Sequence, residues 1–142
     1  MKIDDYIKGL ACETAVREEE RNGANGMLGV LFLLRRRAQT WYGGDWFKAI
    51  TTHGQFSSMT ILGDARTVYY GDPREPKFAK VLDWVDSIFS GVAEDKLTGG
   101  GLYYADLSSP KFEKGGWFDR NILQKPDEHG RCAQIGSTTY FL

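Results

Sequence analysis

Metal ligands of the soft kind are scarce in this chain. His53 and His129 are its only histidines and Cys12 and Cys132 its only cysteines, and the four do not cluster at zinc-site spacing. No metal or other cofactor is therefore expected. Two cysteines at opposite ends of a sequence make no disulfide framework, so partly buried thiols are expected instead. A surplus of one charge is missing as well, since 18 Lys and Arg stand against 19 Asp and Glu. That balance speaks against a dedicated nucleic-acid binder, which needs positive charge to meet phosphate. The longest apolar run, residues 27–34, is interrupted by Gly29 and falls far short of the roughly 20 residues of a spanning helix. Asp4 and Asp5 stand near the start, where a secretory signal places basic and then apolar side chains.

What is present is an ordinary globular composition, 42% apolar and 26% charged over 142 residues, enough for one domain with a real core. Ile3, Tyr6, Ile7 and Leu10 recur at helical spacing behind Asp4 and Asp5. A first helix should run through Thr14 and Val16 into Glu18-Glu19-Glu20 and stop at Asn22-Gly23. A second, apolar on nearly all sides, should run from about Ala24 to Arg35-Arg36-Arg37 as the central buried helix. Gly43-Gly44 breaks the chain, and a short helix over 45–52 has Asp45 as its N-cap. Residues 53–76 read as loop. Beyond Pro73 and Pro76, the stripe Val81, Leu82, Val85, Ile88 and Phe89 predicts another helix, ended by Gly91. Thr98-Gly99-Gly100-Gly101 leads into a short strand over 102–105, and 137–141 is a second; residues 108–130 between them read as loop. The expected fold is α+β, a mainly helical single domain over 1–142 with a small antiparallel β element near the C-terminus.

Three segments offer chemistry. Three glutamates at a helix end oppose the helix dipole, and a solvated face is the ordinary reading of such a run. Counting about 100° per residue from Ile3, Glu18 falls within roughly 60° of the apolar side and Glu19 near roughly 160°. Glu18 is thus expected to face the protein body, where a carboxyl suits general-acid work near neutral pH. His53-Gly54-Gln55-Phe56-Ser57-Ser58 combines hydrogen-bonding groups with a flat apolar ring, a mixture that suits sugar and also suits an ordinary loop with one core phenylalanine. The glycine loop before Tyr103-Tyr104 lacks the P-loop lysine and opens no helix, which makes a nucleotide reading poor. Four tryptophans and seven tyrosines fit a groove that stacks on sugar rings as well as they fit a core.

In their order and spacing these segments resemble the SleB-type cell-wall hydrolases. Residues 14–37 look like that family's opening motif, a glutamate closing a helix in an E-A-R-G-E-like turn, then a glycine, then an apolar helix ending in Asn-Arg. Gln55-Phe56-Ser57 matches its Q-F-S element, and Thr98-Gly99-Gly100-Gly101-Leu102-Tyr103-Tyr104 its T-G-x-A-x-Y-Y element. Ile135-Gly136 with Tyr140-Phe141 matches its I-G-x-H-x-F ending. With the catalytic glutamate on Glu18, Gly26 and Arg37 fall in register without a gap, while Glu20 takes the place of the motif's arginine and Asn22 that of its second acid. With it on Glu19, Arg21 restores the arginine but one residue before Gly26 must be deleted. Helix face and ungapped spacing favour Glu18, with Glu19 as the rival. Arg36 replaces the motif's asparagine and Thr138 its C-terminal histidine.

The resemblance implies a lysozyme- or transglycosylase-like helical body that cleaves peptidoglycan between N-acetylmuramic acid and N-acetylglucosamine. A single evident carboxyl suits lytic transglycosylation, with Glu18 protonating the leaving oxygen and then taking the proton of the muramyl C6 hydroxyl. Hydrolysis would call on a second carboxylate about 5–9.5 Å away, for which Asp106 is the candidate. Gln55, Phe56, Ser57, Tyr103 and Tyr104 are expected to line the saccharide groove. The expected partner is the glycan strand, met by a monomer. Without a signal-like start, the resemblance suggests a phage lysis enzyme held in the host cytoplasm until a holin releases it, or a virion-associated enzyme. A non-catalytic glycan-binding module and an adaptor using Arg35-Arg36-Arg37 are the other classes.

Overall fold

The computed structural model describes residues 4–52, 55–56, 59–61, 64–67 and 76–142. Helix α1 (Asp5–Glu19) starts where Asp4 Oδ1 accepts from the backbone N–H groups of Tyr6 and Ile7 at 2.8 and 3.1 Å, satisfying two of the orphan donors of a helix start. From Gly9 to Val16 every residue is buried, because α1 packs against three other helices. A 3-10 turn (Glu20–Asn22) and Gly23, at φ +71°, bend the chain into α2 (Gly23–Trp41). Val30 through Leu34 are all buried, so α2 is the central helix.

Helix α2 runs one turn past its expected end. Consecutive arginines therefore project about 100° apart and are committed in three directions. Arg35 packs where a Cβ on Gly91 would stand 2.7 Å from Nη2, Arg36 pairs with Asp95 at 2.6 Å, and Arg37 is buried. Helix α3 (Trp46–Thr51) is capped by Asp45, whose Oδ1 accepts from Lys48 N–H at 3.0 Å. Residues expected as loop form instead, in part, the antiparallel pair β1 (Thr60–Ile61) and β2 (Asp64–Thr67); β-branched Thr60, Ile61 and Thr67 are its sequence basis. Helix α4 (Pro76–Phe89) begins on its proline, suited to a first helical position, and packs Val81, Val85 and Ile88 into the core. Lys8 ties α1 to α4 through Asp86.

The C-terminal sheet has the order β3-β5-β4, from β3 (Tyr103–Ala105), β4 (Arg131–Ile135) and β5 (Thr138–Phe141), all antiparallel. Strand β4 was not expected. It is an edge strand in which only Ile135 is fully buried, so its sequence carries no clean alternation. Strand β5, in the middle, is buried at all four positions. Within the long segment read as loop, a π-helical turn (Asp119–Leu123) anchors itself by burying Ile122. The fold is thus α+β, mainly helical, with a small antiparallel sheet near the C-terminus. No disulfide joins Cys12 and Cys132, and burial pushes the Cys12 thiol up to about 12. Among the described residues no helix is long and apolar enough to cross a membrane.

Candidate active site

Where the end of α1 meets β3 and the last turns of α2, a cleft of about 350 Å³ opens, walled by Glu18, Arg37, Trp41, Gln55, Tyr103, Tyr104, Trp117 and Phe118. Glu18 is half-buried, and its Oε1 accepts a hydrogen bond from the Tyr104 hydroxyl at 2.8 Å. Burial first, and the Glu18 charge second, hold the Tyr104 phenol well above its usual range. The hydroxyl therefore keeps its proton and serves as a donor toward Glu18.

Arg37 forms the floor. Its Nε donates to the carbonyl of Leu102 at 2.8 Å and its Nη1 to that of Gln55 at 3.0 Å. The guanidinium carbon stands 5.1 Å from the Phe56 ring centroid and 5.7 Å from those of Trp41 and Tyr104, a stack that suits a planar, weakly hydrated cation. Burial pulls its pKa below the usual arginine value. Around the rim the rings continue, Tyr103 lying 5.7 Å from Trp41, 6.4 Å from Trp117 and 5.1 Å from His129. Trp41 is 38% and Trp117 59% exposed. Large rings left open on a concave wall can stack against a flat, partly apolar surface.

Of the residues singled out in the sequence, Glu18, Gln55, Tyr103 and Tyr104 come together in this wall. Phe56 does not; it is wholly buried and supports Arg37 from beneath. Ser57 and His53 lie outside the described residues. Asp106 is not part of the wall. Its carboxylate accepts from Ser108 N–H at 3.0 Å and Ser108 Oγ at 2.6 Å and pairs with Arg21 at 3.9 Å, and the Ser108 hydroxyl leads in holding it below the usual carboxylate range. Glu19 reverses its expected orientation and is wholly buried. The helical count assumed one apolar stripe, whereas α1 is packed on several sides and turns at Glu19 into the 3-10 corner. Glu18 is distinguished by the cleft it enters, not by depth. Sequence reasoning used Arg37 only as a spacing mark and passed over Trp41, one turn further along α2. Trp117 and Phe118 carried no periodic signal.

Glu19 makes a testable pH dependence. Asn22 Nδ2 donates to Oε2 at 2.8 Å and Arg21 Nη2 lies 3.4 Å from it, but Oε1 is buried without a hydrogen-bond partner. Burial raises the Glu19 pKa more than Thr138, Asn22 and Arg21 lower it. The native carboxyl thus holds its proton to higher pH than the unfolded one. Its stabilising contribution is full below the ordinary carboxyl range and is lost as pH rises through the native value. Glu19→Gln keeps an acceptor for Asn22 and removes the buried charge. Thermal melts should show a higher Tm than wild type at neutral pH and a vanishing difference in mild acid; no gain at neutral pH would refute the assignment.

The glycine loop delivers the two tyrosines. Arg36 Nη1 donates to Thr98 Oγ1 at 3.1 Å and to the Gly101 carbonyl at 2.9 Å. Asp95 Oδ1 accepts from the N–H groups of Leu97 and Thr98 at 2.9 and 3.0 Å. Burial alone would raise the Asp95 carboxyl, but the bonds from Thr98 and Arg36 hold it below its usual value. Gly99, at φ +62°, passes so close to β4 that a Cβ there would stand 2.5 Å from the Cys132 carbonyl oxygen. Close backbone approach is what Gly99 serves. Among the described residues, no group of three or more His, Cys, Asp and Glu side chains is arranged to hold a metal ion. No family model, no curated protein and no solved structure matches the chain.

Proposed function

We propose that this chain cleaves the glycan strand of peptidoglycan between N-acetylmuramic acid and N-acetylglucosamine, with Glu18 as general acid and then base, in bacterial lysis from the host cytoplasm or from a virion. The observation that carries the reading is the Glu18 carboxyl, half-buried in an aromatic cleft and bonded to the Tyr104 hydroxyl. In its acid form Glu18 gives its proton to the glycosidic oxygen as the bond from that oxygen to the muramyl anomeric carbon breaks. The resulting carboxylate takes the proton of the muramyl C6 hydroxyl, whose oxygen bonds to the anomeric carbon and closes a 1,6-anhydro ring. The carboxyl ends as it began, and no water is consumed. The Tyr104 hydroxyl steadies the carboxylate between the two steps, and Trp41, Tyr103 and Trp117 stack on the sugar faces.

Glu18 is the only carboxylate lining the cleft among the described residues. Hydrolysis would place a second one about 5–9.5 Å away, and Asp106 is instead engaged by Ser108 and Arg21. That favours transglycosylation over a hydrolytic muramidase or glucosaminidase. Mass spectrometry of fragments released from purified peptidoglycan is the test. Anhydromuramyl ends, lighter by one water than their hydrolytic counterparts, are the expected product. Reducing ends would replace the mechanism by hydrolysis, and no release at all would sink the assignment.

A further inference from the structure

One side chain joins the α1–α2 corner to the turn between β4 and β5. Asn22 Nδ2 donates to Glu19 Oε2 at 2.8 Å and to Thr138 Oγ1 at 3.1 Å. Its Oδ1 accepts from Ser137 N–H at 3.2 Å and from Ser137 Oγ at 3.4 Å. Two donors and two acceptor sites are all that a side-chain amide offers, so Asn22 is fully used. Two glycines shape its socket. A Cβ on Gly26 would lie 2.6 Å from Asn22 Cβ, and one on Gly136 would fall onto Asn22 Oδ1. Arg21 adds a parallel strut, donating from Nη1 to the Glu18 carbonyl at 2.7 Å and from Nη2 to Thr138 Oγ1 at 3.4 Å. Asn22 and Thr138 are also two of the positions at which the sequence departs from the SleB-type motif, and here the departures touch.

The strand held by this contact is β5, which pairs with β3 so that Tyr140 stands opposite Tyr104 with their rings stacked at 5.8 Å. Wherever Asn22 pins the turn, it sets how far the Tyr104 hydroxyl lies from the end of α1. We propose that Asn22 is a positioning residue that fixes the Tyr104–Glu18 hydrogen bond by locking the sheet onto the helical corner through Ser137 and Thr138. The consequence for turnover rests on the function proposed above; the positioning itself does not.

The test is Asn22→Ala beside Thr138→Val, which removes the bonds that Thr138 Oγ1 accepts from Asn22 and Arg21 at nearly constant volume. With tyrosine labelled at Cζ with carbon-13, the Tyr104 resonance is assigned by its loss in Tyr104→Phe, and its position without the partner is read in Glu18→Ala. In Asn22→Ala the signal should move toward the Glu18→Ala position, and in Thr138→Val in the same direction by less. Clearance of purified cell wall by Asn22→Ala should lose kcat by roughly 10-fold or more, the scale of a sub-ångström misplacement, with apparent KM within about 2-fold. A loss of stability alone would leave the Tyr104 signal of the folded molecules in place. An unmoved signal overturns the proposal, and Thr138→Val decides it should Asn22→Ala fail to fold. If wild type clears no wall, the functional reading fails while the resonance still decides the positioning.

Discussion

Glu18→Gln is expected to lower clearance of purified cell wall by roughly 10²–10⁴-fold, the range set by losing a positioned proton donor. The amide cannot give a proton to the leaving oxygen, yet its carbonyl still accepts from the Tyr104 hydroxyl that now reaches Glu18 at 2.8 Å. Tm should therefore stay close to that of wild type, and binding of glycan fragments should persist. Those two controls separate lost chemistry from lost structure. Equal clearance by both proteins would remove Glu18 from the mechanism. Absence of clearance by either, with glycan still bound by both, would identify a binding module in place of an enzyme.

Gly29→Ala should destabilise the protein by roughly 1–3 kcal/mol, the usual cost of overpacking a filled core. The sign is the point, because alanine inside a helix ordinarily gains up to about 1 kcal/mol over glycine. Here a Cβ would stand 2.6 Å from the Tyr140 hydroxyl oxygen and 2.8 Å from Ile135 Cδ1, so α2 lies against the sheet with no room for a methyl group. Tyr140 Oη is itself buried with no hydrogen-bond partner, and burial pushes its pKa upward. Tyr140→Phe removes the atom that the new methyl group meets and a polar group held out of water. The single Tyr140→Phe variant should be neutral or stabilised, and Gly29→Ala with Tyr140→Phe should recover a large part of the loss in a urea or thermal melt. Stabilisation by Gly29→Ala alone would contradict the close packing of helix on sheet.

How far the sequence reaches is seen in particular residues. Helix positions were legible where a cap and a stripe agree, as at Asp45 for α3 and along Val81, Val85 and Ile88 for α4. Strand β5 was legible from its aromatic and β-branched residues. Strand β4 was not, because an edge strand exposed at Arg131 and Gln134 and half-buried between them carries no alternation to read. The orientation of Glu19 failed for a related reason, since amphipathic counting presumes one wet side and α1 has almost none over residues 9–16. In the cleft, motif order found Glu18, Gln55, Tyr103 and Tyr104. Arg37 and Trp41 are neighbours in it because α2 continues to Trp41, a length that the arginine run concealed. Trp117 and Phe118 reach the wall from a segment without periodicity, and only three-dimensional packing could bring them there.

The strand order β3-β5-β4 bears on how the molecule comes into being. Its middle strand comes last of the three along the chain, so neither β3 nor β4 has its ladder partner until β5 has been made. Glu18 finds Tyr104 across 86 sequence positions and Asn22 finds Thr138 across 116, closures of the slow, non-local kind. A growing chain can carry a formed helical half and still have no finished cleft. The wall that carries Tyr104 is complete only once β5 has slotted between the other two strands.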